Sequence, residues 1–224
     1  MSGMNTPMQS KPMLVLLYGF SGSGKSSFAR HLADELGMAH VHSDRIRHEL
    51  FEKPRYDSRE NDVVNHIMTY MTEELLRANV SVIFDANVPR LGDRRILRDM
   101  ARKFKVTPVL VWIQIDPESA FNRVIKRDRR RIDDKYASPI DRTTFEDLLG
   151  RMQNPDMNED YVVISGKHTF STQKHTVFKK LFSLGLLESP TGGAKTVYKP
   201  GLVNLVPNPR AGRIDQSRRN ILIR

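Results

Sequence analysis

The stretch Gly19-Phe20-Ser21-Gly22-Ser23-Gly24-Lys25-Ser26 holds the residue types and spacing most suited to chemistry in this chain. It matches G-x-x-x-x-G-K-[ST], a pattern expected by chance in a chain of this size about one time in a hundred. Glycines let a loop wrap closely with its N–H groups turned inward, and a helix starting at its end adds a positive pole, so the loop is suited to polyphosphate. On this reading Gly19, Ser21, Gly22, Ser23, Gly24, Lys25, Ser26 and Ser27 form the nucleotide cradle. Lys25 supplies a mobile positive charge to the outer phosphates, and the Ser26 hydroxyl is a ligand for Mg2+. ATP and Mg2+ are the expected cofactors.

Two carboxylates fall just after apolar runs. Asp44 lies in Ser43-Asp44-Arg45-Ile46-Arg47, where it could accept a proton from a substrate hydroxyl while Arg47 clamps an anionic group on the same substrate. The competing reading of Asp44 is a helix N-cap. Asp85 closes Val82-Ile83-Phe84-Asp85 and suits a metal-positioning acid, with Asn87 orienting substrate or metal-bound water. A plain turn at residues 85–87 is the alternative. The cluster Arg123, Lys126, Arg127, Arg129, Arg130 and Arg131 offers arginines to stabilise a phosphoryl group in transit, and Arg127 and Arg131 are the expected catalytic pair. Most of the cluster reads as basic residues favoured at a helix C-terminus.

Apolar runs at 13–18, 39–42, 80–84, 109–115 and 161–165 predict five strands. Helices are predicted at 26–36, 46–51, after Asp57 or Ser58 as cap of a long helix reaching Leu75, at 92–104, from Pro117 into the basic cluster, at 142–152 and at 173–184. Val63, Val64, Ile67, Met68, Met71 and Leu75 predict the core stripe of the long helix. Alternating strands and helices imply an α/β fold: a doubly wound parallel sheet with helices on both faces. In such a sheet ligands gather at the carboxyl ends of the strands, where the cradle, Asp44 and Asp85 all fall.

The 224 residues suit one such domain at 13–187, with a disordered lead at 1–12 and a basic extension at 188–224. The net charge is +10, and residues from Ser189 onward carry seven basic side chains against one acid. A short strand is expected at 220–224. The absence of cysteine removes disulfides, thiolate metal sites and cysteine nucleophiles and fits a reducing compartment. No apolar run approaches the ~20 residues of a membrane span, so a cytoplasmic chain without a membrane partner is expected.

The segments GFSGSGKS, SDRIR, FDANVPRLGDRR, and KRDRRR followed by SPID resemble the P-loop kinases of the polynucleotide-kinase and zeta-toxin group, often labelled AAA family ATPases. The resemblance covers about residues 13–187. It implies sheet order 2-3-1-4-5, counting strands from Met13, with Asp44 as general base, Arg47 as holder of an acceptor phosphate, Asp85 and Asn87 after the third strand, and Arg131 and Arg127 in a lid. The implied activity is transfer of the γ-phosphoryl group of Mg-ATP to a hydroxyl; Arg47 and the basic tail point to an anionic acceptor, first a 5′-hydroxyl polynucleotide, then a nucleotide or nucleotide sugar. Alternatives are a small-molecule kinase for a sugar or antibiotic, and a non-catalytic ATP-dependent switch.

Overall fold

Six consecutive large apolar residues, Met13–Tyr18, leave a strand no polar face, and all six are buried. In the computed structural model, which describes residues 7–128 and 130–188, this segment is β2, the centre of the main sheet. It follows a two-residue β1 (Met8–Gln9). The chain continues through α1 (Lys25–Leu36), β3 (Ala39–His42), α2 (Ser43–Leu50), α3 (Ser58–Arg77), β4 (Val82–Asp85), α4 (Leu91–Lys103) and β5 (Thr107–Gln114). Then come α5 (Pro117–Ile125), a 3-10 turn (Ile132–Asp134), α6 (Arg142–Gly150), β6 (Tyr161–Ser165), α7 (Phe170–Ser183) and β7 (Leu187–Glu188).

The main sheet is parallel throughout, in the order β3-β4-β2-β5-β6, which is the expected 2-3-1-4-5. Strand alternation divides the core in two. Met13, Val15 and Leu17 pack with Phe28 and Leu32 of α1 and Val177 and Leu181 of α7. Leu14, Leu16 and Tyr18 face Val64, Met68 and Leu76 of α3 and Leu97 and Met100 of α4 on the other side. Each fully buried aliphatic side chain contributes about 2 kcal/mol of transfer free energy. The two-sided burial thus fixes β2 in the middle and aims its C-terminal end, Gly19 onward, at the ligand edge.

Four differences from the sequence expectations have physical causes. Met8–Gln9, placed in the unstructured lead, pairs antiparallel with Leu187–Glu188, and Ser10 adds a backbone bond to Leu186. The buried ridge of α3 runs Glu60, Val64, Met68, Thr72, Leu76, one residue per turn, while Val63 and Met71 are exposed. The helix therefore meets the sheet along an i, i+4 ridge that includes two polar side chains, where an apolar count looks for a broader stripe. Helix α2 starts at Ser43, with His42 at its N-cap and no side-chain cap, so Asp44 sits in the first turn instead of capping it. Finally, α5 stops at Ile125: the basic residues from Lys126 onward leave the helix, as like charges one turn apart oppose its extension.

The expected 220–224 strand and the basic extension beyond residue 188 lie outside the described residues, as do residues 1–6. Among the described residues no helix is long and apolar enough to cross a membrane.

Candidate active site

The loop between β2 and α1 turns on glycines that nothing else could replace. Gly22 has φ +83°, and a Cβ there would strike the Ala120 carbonyl of α5. Helix α1 begins after Gly24 with no side-chain cap, so its first N–H groups are unclaimed by any cap and lie where Gly24, Lys25 and Ser26 line a large cavity. Lys25 folds back on the loop, its Nζ donating to the carbonyls of Gly19 at 2.8 Å and Phe20 at 2.9 Å. Loss of water around this ammonium lowers its pKa to about 8, with the Asp85 carboxylate opposing the shift.

The cavity encloses about 1170 Å3 and takes in Ser21, Gly22, Gly24, Lys25, Ser26 and Ser27 of the cradle. It also takes in Asp44, Arg47, Asp85, Asn87, Arg127 and Arg131, so nearly all the candidate residues meet in one space. Two do not. Gly19 lines a second cavity beside Trp112 and Gln114. Ser23 is fully buried, with its Oγ lacking a partner and its N–H donated to the Phe20 carbonyl at 3.0 Å, so it shapes the loop from within.

Asp85 is 3% exposed at the end of β4. Burial favours its neutral form, but the His40 Nε2 hydrogen bond at 3.0 Å, His42 at 3.7 Å and the Ser26 hydroxyl outweigh burial and hold its pKa below the usual carboxylate range. An ionised buried carboxylate beside a serine hydroxyl is an oxygen donor pair that suits Mg2+. The residues present therefore fit a nucleotide-bound magnesium ion: Ser26 as ligand and Asp85 behind it.

Asp44 opens α2 opposite the cradle. Burial pushes its pKa up, with His42 and Arg47 opposing and Asp85 reinforcing the shift. Arg47, expected to reach for an acceptor anion, is instead buried and gripped by α3. Its Nη1 donates to Glu60 Oε2 at 3.0 Å, its Nη2 to Asn61 Oδ1 at 2.5 Å, and Tyr56 lies 4.7 Å under the guanidinium. Only its Nε is without a partner. Burial works to raise the pKa of Glu60, yet the N–H groups of Arg55 and Tyr56 together with Arg47 hold it below normal.

The lid side is a loop rather than a helix face. Arg127 is half-buried and donates to the Ser138 carbonyl at 3.2 Å, and burial lowers its pKa. The Arg131 side chain is exposed at the cavity and forms no hydrogen bond or ion pair with any described residue. The same holds for the guanidinium groups of Arg90 and Arg151 across the cavity. Ten basic residues line the cavity against four acidic ones, a balance that favours anionic occupants.

Three residues escaped the sequence reading. His40 and His42, two apart on β3, share a face and meet Asp85; that strand alternation was the available signal. Gly166, just past β6, accepts from Arg123 at 2.9 Å, donates to Gln114 O at 2.7 Å, and a Cβ there would lie 2.5 Å from the Ser23 carbonyl. Its signal, a glycine closing a strand at the ligand edge, is weak without the fold.

An AAA domain family matches residues 14–155. A curated shikimate kinase from Paracidovorax citrulli (strain AAC00-1) is 28% identical over 142 residues, 60% of this chain and 73% of the relative. Among solved structures, a gluconokinase from Sinorhizobium meliloti 1021 superposes with TM-score 0.56 at 15% identity, covering 79% of this chain and 94% of the other. The Mycobacterium tuberculosis APS kinase in complex with AMPPNP and APS gives 0.55 at 18% identity, over 77% and 98%. At these identities the two structures establish a shared fold.

Proposed function

The chain belongs to the AAA domain family and is built as a P-loop kinase, and from the cavity we propose that it transfers the γ-phosphoryl group of Mg-ATP to a hydroxyl of a small anionic acceptor. The observation that carries this reading is the placement of Asp44, poised across one cavity from the phosphate cradle with its pKa raised by burial. A raised pKa makes it a better proton acceptor than an exposed carboxylate.

The cradle N–H groups and Lys25 bind the triphosphate, the lysine leaving its loop carbonyls for the phosphate oxygens. Asp44 takes the acceptor's hydroxyl proton as that oxygen bonds to the γ phosphorus and the bond to ADP breaks. Ser26, with Asp85 behind it, would hold a magnesium ion, which would neutralise phosphate charge. Arg127 and Arg131 approach the moving group from the lid. Arg47, locked to α3, positions α2 and so Asp44; the acceptor's anion is met by Arg90 and Arg151, whose guanidinium groups form no hydrogen bond or ion pair with any described residue.

A small acceptor is favoured over a polynucleotide end because the arginines without partners point into the cavity that Asp44 shares, and because the curated relative is a shikimate kinase. The experiment is transfer of labelled γ-phosphate by the wild type and Asp44→Asn against hydroxy acids, sugars, adenylyl sulfate, nucleotides and 5′-hydroxyl oligonucleotides. Labelling of a small anionic acceptor that is lost in the variant is expected. Labelling of oligonucleotides alone, with affinity falling steeply as salt rises, would overturn the small-acceptor reading. Tight ATP binding without transfer to any acceptor would overturn the kinase reading itself.

A further inference from the structure

Two histidines converge on one carboxylate oxygen of Asp85. His40 Nε2 lies 3.0 Å from Oδ2. His42 Nε2 lies 3.7 Å from the same Oδ2, and Ser26 Oγ lies 3.4 Å from that Nε2. The imidazole rings stack at 5.3 Å with 10° between their planes. The register of β3 on β4 makes this a built arrangement: His42 is directly opposite Asp85, and His40 projects from the same face two residues earlier.

The ligand atoms of His40, His42 and Asp85 all lie within 4.8 Å of one another. A tetrahedral zinc-like ion with bonds of about 2.0–2.1 Å requires ligand atoms roughly 3.3 Å apart. The two distances to Asp85, 3.0 and 3.7 Å, straddle that spacing, and the two imidazole nitrogens, within 4.8 Å of each other, close the site by rotating toward one another. Two imidazole nitrogens with a carboxylate form a set that suits zinc, cobalt, nickel or copper, whereas magnesium prefers oxygen alone.

We infer that His40, His42 and Asp85 form a transition-metal site that adjoins the magnesium position and shares Asp85 with it, with the Ser26 hydroxyl as its fourth ligand. An ion held there occupies the carboxylate and hydroxyl that the magnesium nucleotide needs. Zinc-class ions and magnesium nucleotide therefore bind in competition, and the site acts as a brake on the proposed transfer. Metal binding itself does not depend on the transfer reading, so the two fail separately.

The test is titration of chelator-cleared full-length protein with Co2+, read by visible absorption. One equivalent is expected to give the d–d bands of a four- or five-coordinate ion, displaced by one equivalent of Zn2+. Outer-sphere partners alone are worth about 10–100-fold in metal affinity, so losing a direct ligand in His40→Gln or His42→Gln is expected to cost at least ~100-fold. Saturating Mg-ADP is expected to weaken Co2+ binding by at least tenfold. Unchanged Co2+ affinity in the double variant, or the absence of any Co2+ band, overturns the site. Co2+ affinity indifferent to Mg-ADP overturns the shared carboxylate. X-ray absorption of the zinc-loaded wild type gives a check that needs no variant: two imidazole scatterers are expected, and none or one overturns the assignment.

Discussion

Lys25 and Asp44 hold opposite positions in the proton economy of the cavity, and each yields a measurement. The Lys25 ammonium has lost its water to the closed loop, so its pKa is lowered from 10.5 to about 8. Phosphate oxygens arriving beside it restore the charged form. At pH 8, Mg-ADP binding is therefore expected to take up about half a proton per site, visible as a calorimetric enthalpy that varies with the buffer's protonation enthalpy. The uptake vanishes near pH 6.5, where the lysine is already charged. The sign for stability follows from the same shift. The unfolded chain keeps this proton up to about pH 10.5 and the folded one releases it near 8, so this group's contribution to stability increases with pH between those values. For Asp44, removal of the base in Asp44→Asn is expected to lower kcat by about 10^2–10^4 with little change in ATP affinity. Because burial raises its pKa, the acid limb of kcat/KM should fall above the ordinary carboxylate range. An acid limb at or below that range would remove Asp44 from the role of base.

At the scale of elements, the entry of α3 decides where α2 can point. Asp57 accepts from the Glu60 N–H at 2.9 Å, while the Glu60 carboxylate accepts from the N–H groups of Arg55 and Tyr56 and from Arg47 Nη1. This reciprocal cap therefore also anchors the helix that bears Asp44. Asp57→Ala is expected to cost about 1 kcal/mol in denaturant unfolding, from loss of the cap. Arg47→Met is expected to lower kcat while leaving ATP affinity near wild type, since it frees α2 without touching the cradle. A large rise in acceptor KM with kcat unchanged would instead make Arg47 an acceptor contact. The sequence made Asp57 legible as a cap and the cradle legible by its glycines, because both depend on neighbours within a few residues. The other half of the anchor was not legible: Arg47 looked like a free cation, since Glu60 is thirteen positions away and only the α2–α3 packing brings them together. Likewise the helix expected to run from Pro117 into the basic cluster ends at Ile125, a boundary set by crowded like charges that periodicity does not register.

Across the described molecule, a buried ion pair links the loop at the ligand edge to the segment just before β6. Arg94 of α4 is fully enclosed and holds Glu159, just before β6, through two bonds of 2.9 Å. Its remaining Nη1 donates to the Val88 and Pro89 carbonyls at 3.3 and 3.1 Å, in the loop that carries Asn87 away from Asp85. Its guanidinium lies 4.8 Å from the Tyr18 ring, at the end of the strand that leads into the cradle. Nothing in the order of residues marks this pair, sixty-five positions apart, as different from the many exposed arginines of a basic chain. Removing one partner of such a pair leaves a charge in a dry interior, so Glu159→Ala is expected to cost about 3–5 kcal/mol, a drop in Tm of roughly 10 °C. Replacing both, as Arg94→Met with Glu159→Leu, removes the stranded Arg94 charge but leaves the buried Arg98, whose Nη1 lies 3.7 Å from Glu159 and donates to the Asn158 carbonyl, so only part of that stability should be recovered. It does not restore the donors to Val88 and Pro89, so the loop bearing Asn87 stays loose. The double variant is therefore expected to melt between Glu159→Ala and the wild type, yet to turn over more slowly than the wild type, with ATP binding intact. Full activity in a stably folded double variant would show that the pair serves the fold alone, and that the cradle, Asp44 and the lid arginines hold their places without it.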